Sequence, residues 1–171
     1  MEDDEILPVV DENDQIIDYR PRGEVHRLGL RHRSVHLLIF NHNAEVLLQK
    51  RSMRKTVKPG FWDSSAAGHV DAGEDYDRCV LREAQEELGI ALPQVPEKAF
   101  KIPASRISGM EFCQVYTAIH EGPFQPNPEE IEQLRWYAPA QIRTWLSQGG
   151  KGLTGTVQYI FNHLCYPDSG Q

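Results

Sequence analysis

The chain has 171 residues, 40% of them hydrophobic, and a formal net charge of −7. That length and apolar content suit one domain with its own core, spanning residues 1–171. The acidic balance argues against a general DNA- or RNA-binding role, because phosphate backbones demand basic patches.

The N-terminus, MEDDEILPVV, lacks the basic and apolar regions of a signal peptide. Residues 6–22 predict a hairpin: apolar LPVV, the polar turn DENDQ, then IIDYRPR. Residues 35–49 read as two longer strands, within SVHLLIF and EVLLQK, joined by NHNA. The segment KPGFWDSSAAGHV turns at Pro59-Gly60 and delivers the chain into a glycine-containing loop. A helix follows and stops at Gly89. Residues 98–107 and 111–120 read as paired strands around Ser108-Gly109, and a proline-rich loop, GPFQPNPEE, leads to a short strand at LRWYA. Residues 140–146 and 153–164 predict two closing helices. Strands in both orientations between helices suggest an α/β/α sandwich with a mixed sheet and an N-terminal β-hairpin. No apolar run approaches the roughly 18 residues that span a bilayer. Cys79, Cys113 and Cys165 are widely spaced and odd in number, which suits reduced thiols in a cytoplasmic protein.

The chemistry concentrates in GHVDAGEDYDRCVLREAQEELGI, residues 68–90. On a helix Glu83, Glu86 and Glu87 stand at i, i+3 and i+4 and share a face. Val80, Leu81, Ala84 and Leu88 fall on another face that can pack against a core. Three clustered carboxylates repel one another, and a hard divalent cation with oxygen ligands removes that cost. Written as G-x5-E-x7-R-E-A-x-E-E-x-G-I, this stretch resembles the signature of the Nudix hydrolases at every fixed position, with Ala84 where the family has a bulkier aliphatic residue. Seven such positions match by chance at about 10⁻⁶ for the whole chain.

The resemblance implies Mg²⁺ (Mn²⁺ as a substitute) held by Glu83, Glu86, Glu87 and the Gly68 backbone carbonyl. It also implies that Glu74 and Arg82 brace the loop against the helix. A proton acceptor for the attacking water is expected at Glu83 or at the loop pair Glu129-Glu130. That pair reads equally well as a capped helix start after Asn127-Pro128. The basic run Lys50, Arg51, Arg54, Lys55 and Lys58 offers phosphate-binding side chains, with Arg51 and Lys58 the chosen candidates, or simply solubilises a turn. Phe61, Trp62, Trp136 and Tyr137 sit beside strands, where core packing competes with base stacking.

Beyond the motif, His26, His32, His36 and His69, with Glu111, resemble one Nudix branch, the isopentenyl-diphosphate isomerases, and the long N-terminal hairpin fits that branch too. That branch requires a cysteine where this chain has Ala67, and an acidic ligand where it has Gly109. Without the thiol, the proton donor–acceptor pair that moves a double bond is incomplete. His26, His32 and His36 therefore read as structural or substrate-lining, with a second metal as the alternative. The expected activity is Mg²⁺-dependent hydrolysis of a phosphoanhydride in a nucleoside diphosphate-linked compound, above all nucleoside di- or triphosphates. Its competitors are an isomerase-like enzyme and a non-catalytic nucleotide-sensing module. The expected partner is a small-molecule nucleotide, with no nucleic acid and no membrane, and the chain acts as a monomer or homodimer.

Overall fold

The computed structural model describes residues 2–165. Strands β1 (Ile6–Val10) and β2 (Ile16–Pro21) pair antiparallel as the expected hairpin. Its tip is clasped onto the rest of the molecule through the buried Asp14. That carboxylate accepts from Arg33 Nε at 2.7 Å and Tyr76 Oη at 2.8 Å, and pairs with Lys101 as well. Burial alone would raise its pKa, but these donors outweigh burial and hold it below the usual range.

A seven-stranded mixed sheet forms the centre. Strands β3 (His32–Phe40) and β8 (Glu111–Ile119) run parallel, register His32 to Glu111. The other pairings are antiparallel: β4 (Val46–Arg51), β5 (Trp62–Asp63), β6 (Ala66–His69), β7 (Glu97–Ile102) and β9 (Ile131–Tyr137). The order is β5-β4-β3-β8-β7, with β6 on β3 and β9 on β4.

Alternation along β3 divides the core into two. Val35, Leu37 and Ile39 pack against Val80, Ala84 and Leu88 of α2 (Tyr76–Leu88). Leu38 and Phe40 face the other way, against Ile142 of α3 (Pro139–Ser147) and Val157 and Ile160 of α4 (Gly155–Cys165). Helices therefore cover both faces, as the sandwich requires. Burying the Leu88 side chain alone is worth about 2 kcal/mol.

Several local expectations change. A short helix α1 (Arg22–Leu28) follows the hairpin directly. The strand expected over residues 98–107 stops at Ile102, because Pro103 and a turn held by Ser108 Oγ divert the chain. No helix starts after Asn127-Pro128. Asn127 instead caps a tight turn, accepting from the Glu129 amide at 3.1 Å, and β9 begins at Ile131. Cys79 and Cys113 are free, buried thiols, and the side chain of Cys165 lies outside the described residues. Among the described residues no helix is long and apolar enough to cross a membrane.

Candidate functional site

Helix α2 is fixed at both ends by its own sequence. Asp75 accepts from the Arg78 amide at 2.8 Å, and Gly89 closes the helix at φ +67°, a conformation glycine adopts without strain. Between them, the three glutamates diverge. Glu87 is buried and turned toward β6, its Oε1 accepting from the Ala67 amide at 2.8 Å and from Gln49 Nε2 at 3.4 Å. The Glu83 carboxylate presses against Gly68: a Cβ there would stand 2.0 Å from Glu83 Oε1, so only glycine admits the approach. Glu86 lies at the rim with its side chain 56% exposed.

Arg82 connects these parts. Its Nε and Nη2 bind both oxygens of Glu74 at 2.8 and 2.9 Å. Nη1 reaches Glu83 at 2.8 Å and Glu86 at 3.1 Å, and Nη2 also donates to the His69 carbonyl at 3.0 Å. Loop and helix are thereby tied through one guanidinium.

Even so, the negative charge is not balanced. Burial pushes the Glu83 carboxyl up to about 7, with Arg82 opposing and the Glu86 charge adding to the rise. Burial also holds Glu87 well above the carboxylate range, reinforced by Glu83. Carboxylates with raised pKa crowded against the backbone at Ala67 and Gly68 are a hard oxygen donor set, fitted to Mg²⁺ or Mn²⁺.

Successive residues of a strand point to opposite faces, so Gly68 meets α2 while His69 faces the other side of the sheet. There His69 joins His26 of α1, His32 of β3 and Glu111 of β8, with one ligand atom from each lying within 4.8 Å of the others. Glu111 Oε1 stands 2.9 Å from His69 Nε2 and 3.3 Å from His32 Nε2. The His32 nitrogen is buried and makes no well-formed hydrogen bond. Burial would raise the Glu111 pKa, but the two histidines outweigh it and hold the carboxyl well below the usual range. Burial and the neighbouring rings keep His26 below its ordinary value. These four residues, scattered over 86 positions, are brought together only by the fold.

A cavity of about 790 Å³ joins both groups. Of the basic run, Arg51, Lys55 and Lys58 line it. Lys50 turns instead to Glu132 at 3.7 Å. Arg51 is engaged by Asp63 Oδ2 at 3.4 Å and the Val57 carbonyl at 3.1 Å. Glu130 lines the cavity with Lys55 Nζ 2.7 Å away. Trp62 and Tyr137 stack edge-on within the α3/α4 core, so they are packing residues. Gln49, Asp63 and Arg22 enter the site unannounced by the motif. A polar Gln49 inside the apolar VLLQK, and the polar run Asp63-Ser64-Ser65 just before Gly68, were the available signals.

The NUDIX domain family model matches residues 30–154. An uncharacterized Nudix hydrolase, PA4841 of Pseudomonas aeruginosa, is 36% identical over 140 residues, 80% of each chain. An isopentenyl-diphosphate Delta-isomerase of Aromatoleum aromaticum is 34% identical over 151 residues, 86% of this chain and 84% of that one. The crystal structure of DR0079 from Deinococcus radiodurans superposes with a TM-score of 0.82 at 24% identity, covering 95% of this chain and 99% of that one, which is a likeness of fold. With its family match over most of its length and an intact Gly68-to-Gly89 motif, this chain belongs to the Nudix hydrolase family.

Proposed function

We propose that the protein is a Mg²⁺-dependent phosphoanhydride hydrolase acting on nucleoside di- or triphosphates. The observation that carries this reading is the pair of carboxylates on α2, Glu83 pressed against the Gly68 backbone and Glu87 buried on the Ala67 amide. Gly68, Glu83, Glu86 and Glu87 would hold the ion, and such an ion neutralises developing charge on phosphate oxygens and acidifies a water. Arg82 and Glu74 keep Glu83 oriented. Arg51, Lys55 and Lys58 line the cavity wall, where their charges would meet the phosphates. Cys79 and Cys113, buried as free thiols, suit a cytoplasmic protein.

A second ion fits beside the first. His26, His32, His69 and Glu111 form a nitrogen-rich set suited to a softer cation such as Zn²⁺, and the orphaned His32 Nε2 supports that occupancy.

The 34% identity to an isomerase favours a second reading, proton transfer on an isoprenoid diphosphate. Ala67 counts against it: its backbone is committed to Glu87 and its methyl group cannot exchange a proton. The test is a panel of nucleoside di- and triphosphates, nucleotide sugars, dinucleotides and isopentenyl diphosphate, offered to metal-stripped protein with and without Mg²⁺. Phosphate or pyrophosphate release from a nucleotide, only with metal, is expected. Dimethylallyl diphosphate formation by the unmodified protein would overturn the hydrolase reading.

A further inference from the structure

His36 stands on β3, on the same face as His32, nearly buried and lining the cavity. Its Nδ1 lies 2.8 Å from Ser64 Oγ and 3.7 Å from Asp63 Oδ1. Ser64 Oγ also lies 3.2 Å from the Ala66 carbonyl. A hydroxyl proton given to that carbonyl makes the oxygen an acceptor toward His36 and puts the ring proton on Nδ1, whereas a hydroxyl proton given to Nδ1 would put it on Nε2. A neutral ring in the Nδ1–H tautomer leaves the lone pair on Nε2, which makes no hydrogen bond among the described residues. Behind the ring, Asp63 is locked by the Ser64 amide at 2.8 Å, Thr154 Oγ1 at 3.2 Å and Arg51 at 3.4 Å.

A base needs three things: a free lone pair, a fixed tautomer and a charge that steadies its protonated form. With its proton on Nδ1, His36 has all three. The carboxylates otherwise suited to the task are engaged, Glu130 by Lys55 at 2.7 Å and Glu83 by Arg82 at 2.8 Å and by the proposed ion.

Resting on the hydrolase reading, we propose that His36 is the catalytic base, with Ser64 and Asp63 as positioning residues. Nε2 takes a proton from the attacking water. The water oxygen forms a bond to phosphorus, the bridging P–O bond breaks with its electron pair leaving on the departing phosphate, and Nε2 passes the proton to that phosphate. The charged groups around the ring are Asp63 on β5, Arg51 on β4, Glu87 on α2 close enough to feel Asp63, and His32 four residues back on β3.

The experiment uses the full-length protein and one good nucleotide substrate from the panel. His36→Gln should lower kcat by about 10²-fold or more with KM and Mg²⁺ requirement little changed, and should flatten the acid limb of the pH–rate profile. Asp63→Asn should move that limb to lower pH, because the protonated ring loses its carboxylate. Added imidazole should restore rate to His36→Ala. Independently of activity, ¹⁵N NMR of the metal-free protein should show the Nδ1–H tautomer at His36. An Nε2–H tautomer, or a His36→Gln enzyme with wild-type kcat and an unchanged acid limb, overturns the assignment and leaves the hydrolase reading standing. A wild-type protein that hydrolyses no phosphoanhydride in the panel overturns both.

Discussion

Two groups of acid and imidazole side chains meet across strand β6, and they solve opposite electrostatic problems. On the α2 face, Glu83 and Glu87 are raised in pKa because burial and mutual repulsion exceed what Arg82 offsets. On the other face, Glu111 is lowered because His32 and His69 over-compensate its burial. The first group is short of positive charge, whereas in the second two imidazoles stand within 3.3 Å of the carboxylate. One dipeptide, Gly68-His69, serves both, since strand alternation sends the glycine to one face and the imidazole to the other. The difference teaches where dependence on a cation should be absolute and where it should be modulatory.

The comparison is most severely tested at Glu87. Replacing it with Gln keeps its shape and removes one negative ligand, and turnover should fall by roughly 10³-fold at saturating Mg²⁺. Glu86→Gln, at the solvent-exposed rim, should cost less. Near-wild-type turnover by Glu87→Gln would show that the α2 carboxylates hold no functional ion. Next in size is Glu74→Gln, which frees Arg82 from its bidentate partner. Mg²⁺ affinity should weaken by about 10- to 100-fold, read from the metal dependence of the rate, with kcat recovering at high Mg²⁺. A kcat loss that metal does not rescue would show that Glu74 does more than orient. On the opposite face, His69→Gln should abolish one equivalent of bound Zn²⁺ in metal analysis while Mg²⁺-dependent hydrolysis persists at a rate lowered by about tenfold or less. Equal Zn²⁺ content in wild type and variant would remove the second centre from the comparison.

The two faces also differ in how far the sequence reveals them. The α2 group lies within twenty residues, and helix periodicity, the Asp75 cap and the Gly89 stop fix its geometry locally. Its one surprise is that Glu87 is buried beside the core face instead of sharing an open carboxylate face with Glu86. The histidine group depends on parallel pairing of β3 with β8 and on α1, which is seven residues long with only Val25 buried and so carries no apolar stripe to read. Strands β5 and β6 span only two and four residues, too short for a period-two pattern. The loop at Asn127-Pro128 carries helix-start residues, yet the adjoining Ile131-to-Tyr137 segment gains more by pairing with β4. Where local spacing decides, the sequence is enough; where tertiary pairing decides, it is not.

The smallest expected effect is thermodynamic and separates charge imbalance from catalysis. In metal-free protein the Glu83 pKa is raised from 4.5 to about 7. Between those values the folded state keeps a proton that the unfolded state has lost, so stability falls as pH rises and the full cost is present above pH 7. Glu83→Gln removes that cost. With chelator present, the variant should be more stable than wild type at pH 8 by up to about 3 kcal/mol, and the advantage should vanish as pH falls to 4.5. Saturating Mg²⁺ at pH 8 should reverse the order, because binding stabilises only a folded state that keeps its ligand. Denaturant unfolding at several pH values, with chelator and with Mg²⁺, measures all of this. If Glu83→Gln is less stable than wild type at pH 8 without metal, then Arg82 already satisfies Glu83 and the two faces of β6 do not differ in charge balance as argued.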